Sequence, residues 1–173
     1  MLMILFFYSC GNQDSFQHED QGLNTKVNQL DNVPNNASLD SVKRQVFVDS
    51  ALYYLLDLGD HEMSRIMFDS ARMAGMSRHN YDYSIGYTFY IENEYLRAMF
   101  LFERALDEEP NNPKYALRLA ECYYFLNKEK NLIIETLKQG LLNGGKYPEN
   151  IPTTFVKGTE LEDLINKNLD SVH

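Results

Sequence analysis

His61-Glu62 opens the pattern of a zinc-binding helix, in which two histidines four residues apart grip the metal and the glutamate activates water. Arg65 holds the place of the second histidine, so no ligand pair forms and His61 reads as a solvated residue in a first helical turn. Asp107-Glu108-Glu109 gathers three carboxylates, which a solvated helix end explains more simply than a calcium loop. The two cysteines, Cys10 and Cys122, are far apart, and His18, His61, His79 and His173 are scattered, so neither a disulfide framework nor a zinc site is indicated. A Gly-rich phosphate loop, a GxSxG elbow and a spaced Cys–His pair are all missing from the sequence. What remains is the chemistry of contact. Tyr83, Tyr87 and Tyr90 are separated by four and three residues and therefore share one helical face. Tyrosine brings a large contact area with few rotors and a hydroxyl that tolerates water, which suits recognition. The expectation is a binding protein and not an enzyme, with no cofactor and no metal.

The elements that carry those rings belong to a chain of 173 residues, enough for one domain with extensions. Apolar residues make up 44% and charged residues 24%, the balance of a chain that folds. A net charge of -9 repels phosphate backbones and anionic lipid surfaces, so nucleic acid is excluded as a partner. Twelve Tyr and ten Phe against no Trp make the placement of rings the central question.

Sliding the chain against itself by 34 residues brings Ala51, Ile85 and Leu119 into register, then Leu52, Gly86 and Ala120, then Leu55, Phe89 and Tyr123. The second copy is the clearest, with Ile85, Gly86 and Phe89 in a first helix and Ala98, Phe102, Ala105 and Pro110 in or after a second. Small residues are needed where two helices cross closely, and large rings fill the space beside them. Pro110 cannot continue the hydrogen-bond ladder and ends the second helix. The first copy holds Leu55, a turn at Gly59, then Ser64, Phe68 and Ala71. The third fits after a one-residue insertion near Asn127-Lys128-Glu129, which aligns Ile133, Leu137 and Gly140.

Residues 45–78, 79–112 and 113–146 together resemble three tetratricopeptide repeats. The resemblance implies an all-α fold: three helix-turn-helix units stacked as a short right-handed superhelix within 38–146. Asp40 to Arg44 extends the first helix upstream, with Ser38 or Asp40 as N-cap. Gly144-Gly145 and Pro148 break the array, and 147–173 forms a linker and a capping helix with Leu161, Leu164, Ile165 and Leu169 on one face. By resemblance to the family, the concave wall is lined by Asp49, Tyr53 and Leu56, then Tyr83, Tyr87 and Tyr90, then Leu117, Glu121 and Tyr124. Such grooves take extended or helical segments, so a protein or peptide partner is implied. A specialised subclass clamps a C-terminal carboxylate with Lys, Asn and Arg. The corresponding positions here hold acidic, aromatic and aliphatic residues, so that clamp is absent and the wall disfavours carboxylates.

Residues 1–9 are almost wholly apolar, too short to span a bilayer as a helix, and they end abruptly at Cys10-Gly11. Phe7-Tyr8-Ser9-Cys10 resembles the lipobox of bacterial lipoproteins, in which cleavage before the cysteine is coupled to its diacylation. Phe7 and Tyr8 are bulkier than usual and no basic residue precedes the apolar run, which a start codon assigned too far downstream would explain. Residues 10–37 are rich in Asn, Gln, Asp and Ser and read as a flexible tether. The resemblance implies a membrane attachment through a lipid on Cys10 and a place in the cell envelope, at the outer membrane facing the periplasm. Asp-Ser-apolar triplets at Ser41, Ser50, Ser70 and Ser171 resemble the O-glycosylation acceptor of the Bacteroidota, with Ser41 and Ser171 the better placed. The functional expectation is an adaptor or assembly factor. Its alternatives are a structural subunit of a permanent complex or homo-oligomer, and a cytoplasmic adaptor whose leader is misread.

Overall fold

The computed structural model describes residues 39–170, with side chains described through 165. The leader, Cys10, the tether, Ser38, Leu169 as a side chain and Ser171 lie outside the described residues. Seven α-helices are described: α1 (Leu39–Leu56), α2 (His61–Met73), α3 (Arg78–Ile91), α4 (Tyr95–Glu108), α5 (Pro113–Phe125), α6 (Lys130–Leu142) and α7 (Glu160–Asp170), with a 3-10 turn at Thr153–Val156 before the last. Each of the first six packs mainly on its sequence neighbour, giving the hairpins α1/α2, α3/α4 and α5/α6. No helix among the described residues is long and apolar enough to cross a membrane.

The hairpins are punctuated by residues that the helix itself cannot use. Gly59, Asn93 and Asn127 stand 34 residues apart and all adopt the left-handed backbone, with φ of 66°, 61° and 52°. At the second and third hairpin turns the Asn sits within a paired closure: Glu94 N–H bonds Phe89 C=O and Asn93 N–H bonds Tyr90 C=O, and Lys128 and Asn127 repeat this on Tyr123 and Tyr124. This arrangement satisfies the last carbonyls of a helix that would otherwise be orphaned. Asn and Gly are the residues that enter this region most readily. Gly59→Ala is therefore expected to cost about 1–2 kcal/mol, whereas Gly59→Asn, copying the other two turns, should stay within a few tenths of wild type. Urea unfolding of both variants checks this, and equal losses would refute the register. At the opposite ends Asp60 accepts from Met63 N–H, and Asn112 accepts from Lys114 N–H just before Pro113 opens α5.

The inserted residue falls where the period predicts: α4 begins 34 residues after α2, and α6 begins 35 after α4. Ile133, Leu137 and Gly140 are accordingly buried. At the centre of the second hairpin a Cβ placed on Gly86 would lie 2.8 Å from the Phe102 ring, so the glycine is what lets α3 and α4 close. Leu52, at the matching place in α1, is 38% exposed, because a leucine does not fit a crossing that a methyl group would overfill.

Two apolar clusters result. A small one joins Ala51, Phe68, Ala71, Met76 and Ile85, and a larger one runs from Tyr90 and Phe102 through Leu119, Ile133 and Leu137 to Leu161 and Ile165. Phe89 packs against both, its ring held between the guanidinium groups of Arg65 and Arg97 at 4.9 and 4.8 Å. Asp82 is fully buried and accepts from Arg104 at 2.6 Å, tying α3 to α4. Helix α7 adds Leu161 and Ile165 to the end of the third hairpin, and Lys138 on α6 meets Glu160 at 2.6 Å.

His61 is not free in solvent: its Nδ1 lies 3.2 Å from the Glu92 carboxylate that Arg65 also holds. Ser50 is buried and donates to Val46 C=O, Ser70 donates to Ile66 C=O, and Ser41 lies within the first turn of α1 and not ahead of it.

Candidate functional site: the tyrosine row and its cover

Helix α3 carries the row. Tyr83 and Tyr87 stack with ring centres 6.3 Å apart and planes 12° from parallel, and Tyr87 and Tyr90 stack at 6.1 Å and 9°. The spacing of four and three residues produces this by itself, since it brings successive side chains over one another on the helix surface. Tyr83 also meets Tyr115 at 5.0 Å and Phe102 at 5.5 Å, so the row is rooted in the core. Burial pushes the Tyr83 hydroxyl up from its ordinary value and holds the Tyr115 hydroxyl at about 12. Both remain protonated donors at physiological pH.

Helix α5 supplies the second wall. Arg118 lies over Tyr87 and Tyr90 at 5.3 and 5.1 Å from the ring centres, and its Nη1 donates to Glu121 at 2.7 Å. Burial works against the Arg118 charge, but Glu121 beside it outweighs that and holds the guanidinium above its ordinary range. Arg118 and Glu121 are three residues apart and face the same way, the separation at which helical ion pairs form.

Residues 143–156 leave the array and return across its third hairpin as a strap. Pro148, Ile151 and Val156 are buried and fix its course. Asn150 donates at 2.9 Å both to the Tyr90 hydroxyl and to Glu121 Oε1, and Phe155 meets Tyr124 edge-on at 5.2 Å. Burial first, and Glu121 second, raise the Tyr90 hydroxyl to about 12.

The expected wall is thus divided. Tyr83, Tyr87 and Tyr124 are half-buried and come together with Leu117 and Arg118. Tyr90 and Glu121 sit deeper than an open wall requires, 8% and 2% exposed, because Arg118 and the strap cover them. They form the floor. Asp49 and Tyr53 are exposed on α1, with Asp49 accepting from Gln45 and Tyr53 against Tyr54 at 6.0 Å, and no contact joins them to the row. Leu56 is 61% exposed on the same helix. The sequence reading missed Arg118 and Asn150. Arg118 had a signal in its spacing to Glu121, whereas Asn150 had none, since the path of a linker is not written in any period.

Two cavities open beside the row. One, of about 520 Å³, lies between α5 and the strap and is lined by Tyr83, Lys114, Arg118, Lys146 and Glu149 among others. The next, of about 590 Å³, shares Tyr83 and Lys114 and runs to the turn at Pro110–Pro113. No group of residues among those described could hold a metal ion. Cys122 is buried and unpaired, its thiol pushed up to about 12 by burial and by Glu121. In a Cys10→Ser background, Cys122 should not react with an aromatic disulfide at pH 8 until denaturant is added, because the thiolate is both scarce and inaccessible. Rapid labelling of the native protein would overturn this.

The family model of the tetratricopeptide repeat matches residues 89–130, from the end of α3 through α5. No curated protein matches the sequence. Among solved structures, MamA superposes with a TM-score of 0.56 at 14% identity, covering 95% of this chain and 93% of that one. A chain of the CopN-Scc3 complex superposes at 0.51 with 16% identity, covering 80% and 79%. These likenesses are of fold. With the repeat model lying on the hairpin junctions and the 34-residue turns on either side of it, this chain is a tetratricopeptide-repeat protein.

Proposed function

We propose that this protein is a lipid-anchored adaptor or assembly factor of the cell envelope, which holds a segment of a protein partner along its concave face. The observation that carries the adaptor reading is the stacked row Tyr83–Tyr87–Tyr90, whose outer two rings border cavities that the described residues leave unfilled. Rigid rings already stacked lose little entropy on binding, which favours recognition. That one similar chain comes from a complex of two proteins is consistent with this. A photo-crosslinking residue in place of Tyr87 should give a discrete adduct in cells, and the same residue in place of Phe100 on the outer face of α4 should not. Equal adducts at both would refute a groove-specific partner.

The anchor reading rests on Phe7-Tyr8-Ser9-Cys10 and on the polar tether after it. It places the protein at the outer membrane, facing the periplasm. Cys10→Ser is expected to move the protein from the membrane fraction to the soluble one and to abolish fatty-acid labelling. An unchanged distribution would support the cytoplasmic reading instead. The structural-subunit reading is favoured by one feature: Leu52, Tyr53, Leu56 and Leu58 are all more than a third exposed near one end of the array. Light scattering of the full chain in detergent separates the two, since a monomer excludes obligate self-association.

A further inference from the structure

We propose that the C-terminal end of the groove is a cationic cleft in which Lys114 on α5 and Lys146 on the strap anchor an acidic residue of the partner segment. The inference rests on the groove reading above and names the chemistry of what the groove accepts. From the sequence, Glu121 made this wall acidic and unfavourable to carboxylates. The structure reverses that, because Glu121 is buried and neutralised by Arg118 and Asn150. What faces the 520 Å³ cleft as unspent charge is Lys114 and Lys146 against Glu149 alone. Neither lysine has an ion-pair partner among the described residues.

The surroundings sharpen the contrast. The chain carries a net charge of -9, and the cleft at the first hairpin turn is lined by Asp60, Glu62, Glu92 and Glu94 against His61 and Arg65. The cleft beside Lys114 is therefore where an anion is least repelled. Its apolar walls, Tyr83, Leu117 and Pro148, reduce screening and strengthen attraction to the lysines. Lys114 and Tyr83 also line the neighbouring cavity of about 590 Å³, so an extended segment could continue past the anchor along α3. Asp49 lies exposed on α1 at the far end of the array. A segment with its acidic residue toward the strap is thus favoured over the reverse, and the groove has a direction.

Fluorescence anisotropy of the purified full chain tests this with three labelled nonapeptides that share an aliphatic and aromatic frame and carry two central Glu, Gln or Lys residues. The Glu peptide is expected to bind best, with a Kd about fivefold below that of the Gln peptide and about tenfold weakened between low and high salt. The double variant Lys114→Glu/Lys146→Glu should lose that preference and favour the Lys peptide, with an unchanged thermal melt. If all three peptides bind alike and Tyr87→Ser abolishes binding, the groove stands and the acidic anchor falls. If none of them binds, both fall.

Discussion

Phe102→Ala is expected to destabilise the protein by about 3–5 kcal/mol, seen as a lower urea midpoint and a weakened near-ultraviolet signal from the tyrosine row. Phe102 is fully buried and stands under three features at once: the Gly86 crossing, Tyr83 at 5.5 Å and Tyr90 at 6.5 Å. Gly86 has no side chain to move into the space, and the stacked rings cannot drop into it without breaking their contacts with Arg118, so the cavity stays open. Phe100 on the same helix is 54% exposed, and its replacement by Ala should change stability by no more than about 0.5 kcal/mol. Similar losses at the two positions would mean that the α3/α4 crossing is not what holds the array together.

That contrast shows what kind of information the sequence carried. Phe102, Gly86, Ala98 and Ala105 were readable because a repeat states each packing position several times, and a 34-residue comparison recovers them. The same comparison contained the left-handed turns at Gly59, Asn93 and Asn127, although only Gly59 stands out by residue type. Asp82 was not readable, for a polar residue in a first helical turn ordinarily faces water, and only the approach of Arg104 from α4 makes its burial tolerable. The tyrosine row was readable as a stripe, since spacing alone sets it. Its depth was not, because Tyr90 and Glu121 are covered by a strap that lies outside the repeat and obeys no period. Periodic sequence thus reveals the scaffold, whereas the closing of the site depends on the aperiodic tail.

Arg118→Ala is the second change expected to have a large effect, of about 2–4 kcal/mol, because it leaves the Glu121 carboxylate in a buried site with Asn150 as its remaining donor. The figure sits somewhat below that for a fully enclosed pair, since the Arg118 side chain is 31% exposed and water can reach part of the gap. The variant also removes the cation from above Tyr87 and Tyr90, so the row should lose order as well as cover. Arg118→Met combined with Glu121→Leu should regain most of the lost stability, as apolar residues of similar size often replace a buried ion pair without penalty. The comparison of the two variants separates structure from function. If the double variant is as stable as wild type and still gives the Tyr87 crosslink, the ion pair serves the fold. Should it be stable but give no crosslink, the charge pair is kept for the partner that the groove receives.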